Sequence, residues 1–514
     1  SGKTCSAINI YNELFNATEK WNVYILLPAS LRADPWEKDL QNCILKDRKA
    51  KRLANINFIS FNASNASEQF MNTMRETRNP DKHSLFIIDE VDQFIGTVLS
   101  NIRNDTGRAR RIYDSIQLEM QKDINTRIIT MSATPITQEP FELGLLFNLL
   151  SPQLFPTKMS EFNEMFVKDD TLSADSRNLF MRRILSKVSY FRGQTVDKFA
   201  TQKTFYVHCT LDGYGLKVYK SFENKEEERE QRLKTKGRTG RTSMFQLHTG
   251  DSKNTEGDTF RIYTRQAANF IIPNINEDIN GINRPRRDIF GITDPVEKSK
   301  ANKKYENIRQ NILSEMIKYW KKLNSEDEKT GHTLKKSLDK FKKSNEKDFA
   351  EKTESYNFDE IFSFLETDAK QCKLLRSLLT SSQKMTRIMF LISVSPGNVL
   401  IYSSFVEMEG IEILSIYLDI FGFSKFTLKG KKTTTDDFNR FADFNSSSKV
   451  NEETRAIFNH PKNSRGKDIR VIIISRKSTA GISLKNVRQV HILEPFWQER
   501  LIEQAIGRAI RDCS

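Results

Sequence analysis

The stretch Phe86-Ile87-Ile88-Asp89-Glu90-Val91-Asp92 decides how the rest of the chain is read. Leu85 to Ile88 is a short apolar run with β-branched residues, the pattern of a strand buried on both faces. It ends in two adjacent carboxylates, Asp89 and Glu90. Acids at the C-terminal end of a parallel strand lie where open α/β sheets place their ligands. Nucleotide hydrolysis needs one carboxylate to hold Mg²⁺ and a second to orient or deprotonate the attacking water. Asp89 and Glu90 suit those roles in that order. An isolated Asp-Glu pair reads better as a solvated turn, so the companion stretches decide.

The first companion is Ser1-Gly2-Lys3-Thr4, which matches the last four positions of the phosphate-binding loop G-x-x-x-x-G-K-[ST]. Four residues alone are weakly specific. A helix-capable segment (Ala7–Leu14) and an apolar run (Val23–Leu27) follow in the order such a domain requires. In that reading backbone N–H groups at a helix N-terminus cradle phosphates. Lys3 neutralises the β- and γ-phosphates and the Thr4 hydroxyl joins Asp89 in holding Mg²⁺. The sequence then starts within a loop and reads as a fragment.

The chain has 514 residues, room for about three domains at roughly 150 residues each. With 38% hydrophobic and 29% charged residues the composition is globular and neither disordered nor membranous. No apolar run approaches the 18 or so residues of a membrane span. The formal charge of +15 points to a polyanion, nucleic acid ahead of an anionic membrane, although net charge can also serve solubility alone. Cys5, Cys43, Cys209, Cys372 and Cys513 are scattered, with no C-x-x-C pair. They read as thiols in a reducing compartment, without a disulfide framework or zinc.

Short β-rich runs alternate with helical segments up to Leu150, which implies a parallel sheet. Val23–Leu27 leads into Pro28-Ala29-Ser30-Leu31, and Ile56–Ser60 is a further run. Arg127–Met131 closes in Ser132-Ala133-Thr134-Pro135. Small hydroxyl residues after a strand can relay between two sites, or merely make a turn. The region 151–384 is helical and charged. It contains a strand-like run at Thr204–Cys209 and an acidic then basic block ending in Lys234, Lys236, Arg238 and Arg241. Gly237 and Gly240 break that block, so a loop is expected there. A Lys-rich helical stretch, Glu297–Lys352, follows. Both basic stretches are either a nucleic-acid face or a solvated surface. A second α/β pattern starts near Ser395, with strands at Val399–Tyr402, Val471–Ile474 and Val490–Leu493. At its end Arg508 and Arg511, three residues apart, fall on one helix face. Planar, permanently charged arginines suit a γ-phosphate, and a solvated basic helix end is the plain alternative.

Together these stretches resemble the motif set of superfamily 2 helicases and translocases. Ser1–Thr4 is similar to motif I, Pro28–Leu31 to motif Ia, Asp89–Asp92 to the DExx box and Ser132–Thr134 to motif III. Leu400–Phe405, Ser478–Leu484 and Gln504–Arg511 resemble motifs IV, V and VI. Ser132–Ile136, Pro495–Trp497 and Gln504–Arg511 look Swi/Snf-like. Phe58–Ser64, Ser189–Gly193, Val487–Pro495 and Gly507–Ser514 resemble helicase-like ATPases of poxviruses and other large DNA viruses. That group includes nucleoside triphosphate phosphohydrolase I and the early transcription factor small subunit. One departure is Ala480, where such proteins commonly carry an acid.

The resemblance implies an α/β fold of two RecA-like parallel-sheet lobes, 1–150 and 385–514, around a mostly helical basic insertion at 151–384. ATP and Mg²⁺ are the implied cofactors, with ATP between the lobes and DNA, or RNA, across them. Gly2, Lys3, Thr4 and Asp89 would bind nucleotide and metal. Glu90, Gln504, Arg508 and Arg511 would be catalytic. Ser30, Ser132, Thr134, Ser478 and the basic block at Lys234, Lys236, Arg238 and Arg241 would meet nucleic acid. The implied partner is a transcription complex or RNA polymerase, with no membrane. The implied location is intracellular and, for a viral protein, the virion and host cytoplasm. A transcription-factor subunit using the fold as a scaffold, or a restriction-enzyme motor, are the alternatives.

Overall fold

The computed structural model describes residues 2–103, 106–136, 139–168, 171–190, 202–211, 213–236, 261–285, 294–350, 356–427, 439–444, 448–475, 482–494 and 499–510. They form two units, Ser1–Gln194 and Thr195–Ser514.

The first unit is built on four parallel strands: β1 (Trp21–Leu27), β2 (Ile56–Ser60), β3 (His83–Asp89) and β4 (Arg127–Met131). Their order is β2-β1-β3-β4. All seven residues of β1 are buried, because helices cover both faces. The two-residue period of a strand sorts them. Val23, Ile25 and Leu27 join Leu85, Ile87 and helix Lys3–Ala17 on one face. Tyr24 and Leu26 join Phe86, Ile88 and the helices Val91–Arg103 and Arg108–Lys122 on the other. The acidic strand is therefore buried on both faces, as its unbroken apolar run predicts.

This core runs on past residue 150. Phe155, Phe162, Phe166 and Phe180 pack into it behind Phe141 and Phe147. Gly144 makes room for them, since a Cβ there would meet the Phe162 ring at 2.9 Å. A small antiparallel pair, β5 (Val167–Lys168) and β6 (Thr171–Leu172), lies between the last two helices.

The second unit carries β7 (Asn398–Tyr402), β8 (Ser424–Lys425), β9 (Arg440–Asp443), β10 (Val471–Ile474) and β11 (Val487–Ile492). All are parallel, in the order β11-β7-β10-β9-β8. Leu400, Tyr402, Ile472 and Ile474 face Phe458, Ala505 and Ala509. Val399, Ile401, Val471 and Ile473 share the opposite core with the helices Pro295–Thr330, Lys373–Ser381, Gln383–Ser393 and Ile411–Ile420. The central helices thus form one layer of this α/β unit, anchored by the buried Met316 and Trp320. Their lysines dominate the sequence, but the apolar stripe that packs them recurs only once per turn and is easily overlooked.

One local expectation needs correction. Thr204–Cys209 is not a strand; Phe205 instead packs edge-on against Tyr356 and Phe358. The acidic-to-basic block is helical through Lys236, within a helix that starts at Gly213, and the loop expected at Gly237 and Gly240 lies outside the described residues. That helix packs through Val218 and Phe222 onto Ala267 and Ile271, and this apolar contact outweighs the charge pattern. The cysteines also differ from the sequence reading. Cys5 and Cys43 form a disulfide with Cα atoms 5.6 Å apart. They lie 38 residues apart, and only the packing of helix Lys3–Ala17 against helix Lys38–Cys43 brings them together.

Candidate active site

Because β1 to β4 are all parallel, their C-termini share one edge of the sheet. Helix Lys3–Ala17 returns to β1 through only Thr18–Lys20, so it runs antiparallel to the strand and its N-terminus reaches that same edge. Gly2 precedes the helix with φ 73°, a left-handed conformation that glycine adopts without steric cost. Its carbonyl accepts from the Ser6 N–H at 2.9 Å and from Ser6 Oγ at 3.0 Å. Lys3 is half-buried and Thr4 buried in the first helical turn. Helix N–H groups aimed outward, a lysine and a hydroxyl form an anion cradle.

Asp89 ends β3 and is buried, at 5% exposure. Its Oδ1 accepts from the Glu90 N–H at 2.9 Å and its Oδ2 from the Trp36 indole N–H at 2.9 Å. Glu90 follows with φ 50°, a strained backbone for a residue with a Cβ, and its side chain is half-buried. Asp92, buried in the next turn, accepts from Ser132 Oγ at 2.5 Å. The Ser132 hydroxyl in turn accepts from the Thr134 N–H at 2.9 Å. The hydroxyl turn after β4 is therefore hydrogen-bonded to the first turn of the helix that follows the acidic strand end.

The other expected site residues are placed as follows. Ser30 is exposed in the short turn of helix Ala29–Leu31. Gln504, in helix Glu499–Ile506, and Arg508, just beyond it, are half-buried in the second unit. The Arg508 carbonyl accepts from the Leu484 N–H at 3.0 Å, which joins the turn after that helix to the segment before β11. Lys234 and Lys236 lie in the last turn of helix Gly213–Lys236. Arg238, Arg241, Ser478 and Arg511 lie outside the described residues, as does Ala480.

Two features escaped the sequence reading. Trp36 is a lone aromatic in a polar stretch, and only the fold brings it to Asp89, 53 residues later. In the second unit Glu494 is buried just after β11. It accepts from the Ser404 N–H, from Ser403 Oγ at 3.1 Å and from Asn269 Nδ2 at 2.9 Å. Burial pushes its carboxyl above the usual range, and burial pushes the nearby Lys384 ammonium below its own.

No protein-family model matches the chain. It is 34% identical over 541 residues to a protein named as an ATP-dependent RNA helicase of Acanthamoeba polyphaga mimivirus, spanning all of this chain and 62% of that protein. It is 25% identical to nucleoside triphosphatase I of Melanoplus sanguinipes entomopoxvirus, over 99% of this chain and 65% of the relative. The chain thus spans less than two thirds of the length of either relative. Among solved structures, the Pyrococcus furiosus Hef helicase domain aligns with 97% of this chain and 92% of its own, at 15% identity and TM-score 0.33. The Sulfolobus solfataricus SWI2/SNF2 ATPase core in complex with dsDNA aligns with 97% of this chain and 78% of its own, at 14% identity and TM-score 0.30. Over its whole length this chain is similar in sequence to a mimivirus protein named as an ATP-dependent RNA helicase and to an entomopoxvirus nucleoside triphosphatase I.

Proposed function

We propose that the chain is an ATP hydrolase stimulated by nucleic acid, DNA in preference to RNA. The observation that carries this reading is the left-handed Gly2 opening a helix at the sheet edge where Asp89 and Glu90 terminate β3. The N–H groups that follow Gly2, with Lys3, bind the phosphates. Thr4 and Asp89 offer hard oxygen donors, which suit Mg²⁺ and not a soft metal. When bound, that ion neutralises charge on the β- and γ-phosphate oxygens. Glu90 orients the attacking water and takes its proton. Gln504, Arg508 and Arg511 are assigned the role of stabilising charge that develops during transfer.

The Asp92–Ser132–Thr134 chain offers a path by which nucleic acid near the hydroxyl turn affects hydrolysis. Ser30, Ser132, Thr134, Ser478 and the basic residues Lys234, Lys236, Arg238 and Arg241 are the proposed nucleic-acid contacts. The motor translocates on DNA and serves a viral transcription complex in the virion and host cytoplasm. Among the described residues no helix is long and apolar enough to cross a membrane.

The test is the ATP turnover of one preparation with no nucleic acid, single-stranded DNA, duplex DNA and RNA. DNA is expected to raise the rate severalfold and RNA less. A rate indifferent to all three polymers contradicts the reading.

A further inference from the structure

Both carboxylate oxygens of Asp89 are held by the protein, but by partners of different origin. Oδ1 takes the N–H of the next residue, while Oδ2 takes the indole N–H of Trp36, 53 positions earlier. An indole nitrogen can only donate, so the polarity of this bond is fixed and Oδ2 must act as acceptor there. Each carboxylate oxygen has two lone pairs, which leaves acceptor capacity facing away from both donors. Trp36 itself has no freedom. It is 0% exposed, it meets Phe58 edge-on with ring centroids 6.5 Å apart, and it packs among the residues on one face of β1 and β3.

Its backbone lies in a π-helical turn, Arg32–Glu37, between the short turn after β1 and helix Lys38–Cys43. Single π turns are uncommon and occur frequently at functional sites. A buried indole N–H needs an acceptor, and the one this tryptophan reaches is the acid that ends β3, where a backbone carbonyl would have served packing equally well.

We propose that Trp36 is a positioning residue that aims the Asp89 carboxylate at the divalent cation of the nucleotide site. This rests on the reading of Asp89 as the metal-holding acid. A carboxyl group turns easily about its terminal torsion, whose energy wells are broad. Two donors from different segments fix it. Outer partners of this kind typically change metal affinity or activity by 10- to 100-fold when removed.

The decisive variant is Trp36→Phe, which keeps an aromatic ring against Phe58 and removes only the donor side of the indole. Mn²⁺ binding, followed by electron paramagnetic resonance with a non-hydrolysable ATP analogue present, should weaken by about 10-fold. The Mg²⁺ concentration for half-maximal turnover should rise in parallel. Analogue affinity without metal should stay the same, and Trp36→His, which restores an N–H donor, should recover part of the loss. Equal Mn²⁺ affinity in wild type and a folded Trp36→Phe overturns the proposal. A wild type that binds no Mn²⁺ with the analogue overturns instead the reading of the nucleotide site.

If the variants do not fold, the wild type still decides. With ¹⁵N-tryptophan labelling, one of the four indole N–H signals should broaden away first as Mn²⁺ and analogue are added. Retention of all four under saturating metal contradicts the assignment.

Discussion

Glu90 combines the expected water-orienting carboxylate with a backbone φ of 50°. A non-glycine residue in that region costs about 1–3 kcal/mol, and such strain concentrates at functional sites. Glu90→Gly should therefore melt no lower than wild type in a thermal scan while losing nearly all turnover; a large fall in melting temperature would mean that Glu90 is there for stability. The site was partly legible at this scale. Asp89 and Glu90 stand out because an apolar run stops abruptly at two acids, and Gly2-Lys3-Thr4 because glycine, a cation and a hydroxyl are needed together at a phosphate. Trp36 and the Cys5–Cys43 pair could not be read. Each depends on a contact across 38 or more positions, and neither follows a local period.

Elements explain what a charge-rich sequence hides. Asp327 lies in the lysine-rich helix Pro295–Thr330, yet it is 1% exposed. Its carboxylate accepts from the N–H groups of Lys373 at 2.9 Å and Leu374 at 2.8 Å, at the start of helix Lys373–Ser381. It thereby caps one helix of the second unit with a side chain from another. Asp327→Ala would leave the buried Leu374 N–H without that acceptor, and denaturant unfolding should show a loss of about 1–3 kcal/mol. Asp327→Asn should lose less. A change within experimental error for Asp327→Ala would mean that the cap is dispensable.

In β11, burial pushes the His491 imidazole down to about 4 from its ordinary 6.5. The folded chain keeps it neutral where the unfolded chain would protonate it. Its contribution is present above pH 6.5 and is lost as pH falls from there toward 4. The melting temperature of wild type should fall across that window more steeply than that of His491→Gln. Parallel curves would show that the histidine is not held neutral by the fold. Strands β1 to β4, β7, β10 and β11 are readable from their apolar runs, whereas the short β5, β6, β8 and β9 are not. Thr204–Cys209 errs the other way: it has strand-like residues but packs its aromatic against Tyr356 and Phe358.

At the scale of the whole molecule, the chain carries two parallel-sheet units, and the proposed function has it translocate along DNA. Separating base pairs needs, in addition, a wedge between the strands. The motif resemblance favours the Swi/Snf side, whose members mostly pull on DNA or on complexes bound to it. ATP-dependent displacement of a protein block from duplex DNA is therefore expected, with little unwinding of a tailed duplex. Efficient unwinding by the same preparation would make the protein a strand-separating helicase. The central layer of helices belongs to this scale too. Its basic surface suggested an insertion, whereas its apolar stripe, from Ile312 to Trp320, builds it into the second core.

The proposed hydrolysis depends above all on the acidic end of β3, and one measurement tests that most directly. Glu90→Gln and wild type are compared for ATP affinity and for single-turnover hydrolysis at saturating DNA. Removing a general base should leave affinity unchanged and slow hydrolysis by about 10²-fold or more. Near-normal hydrolysis in Glu90→Gln would contradict the assignment of this strand end as the catalytic centre.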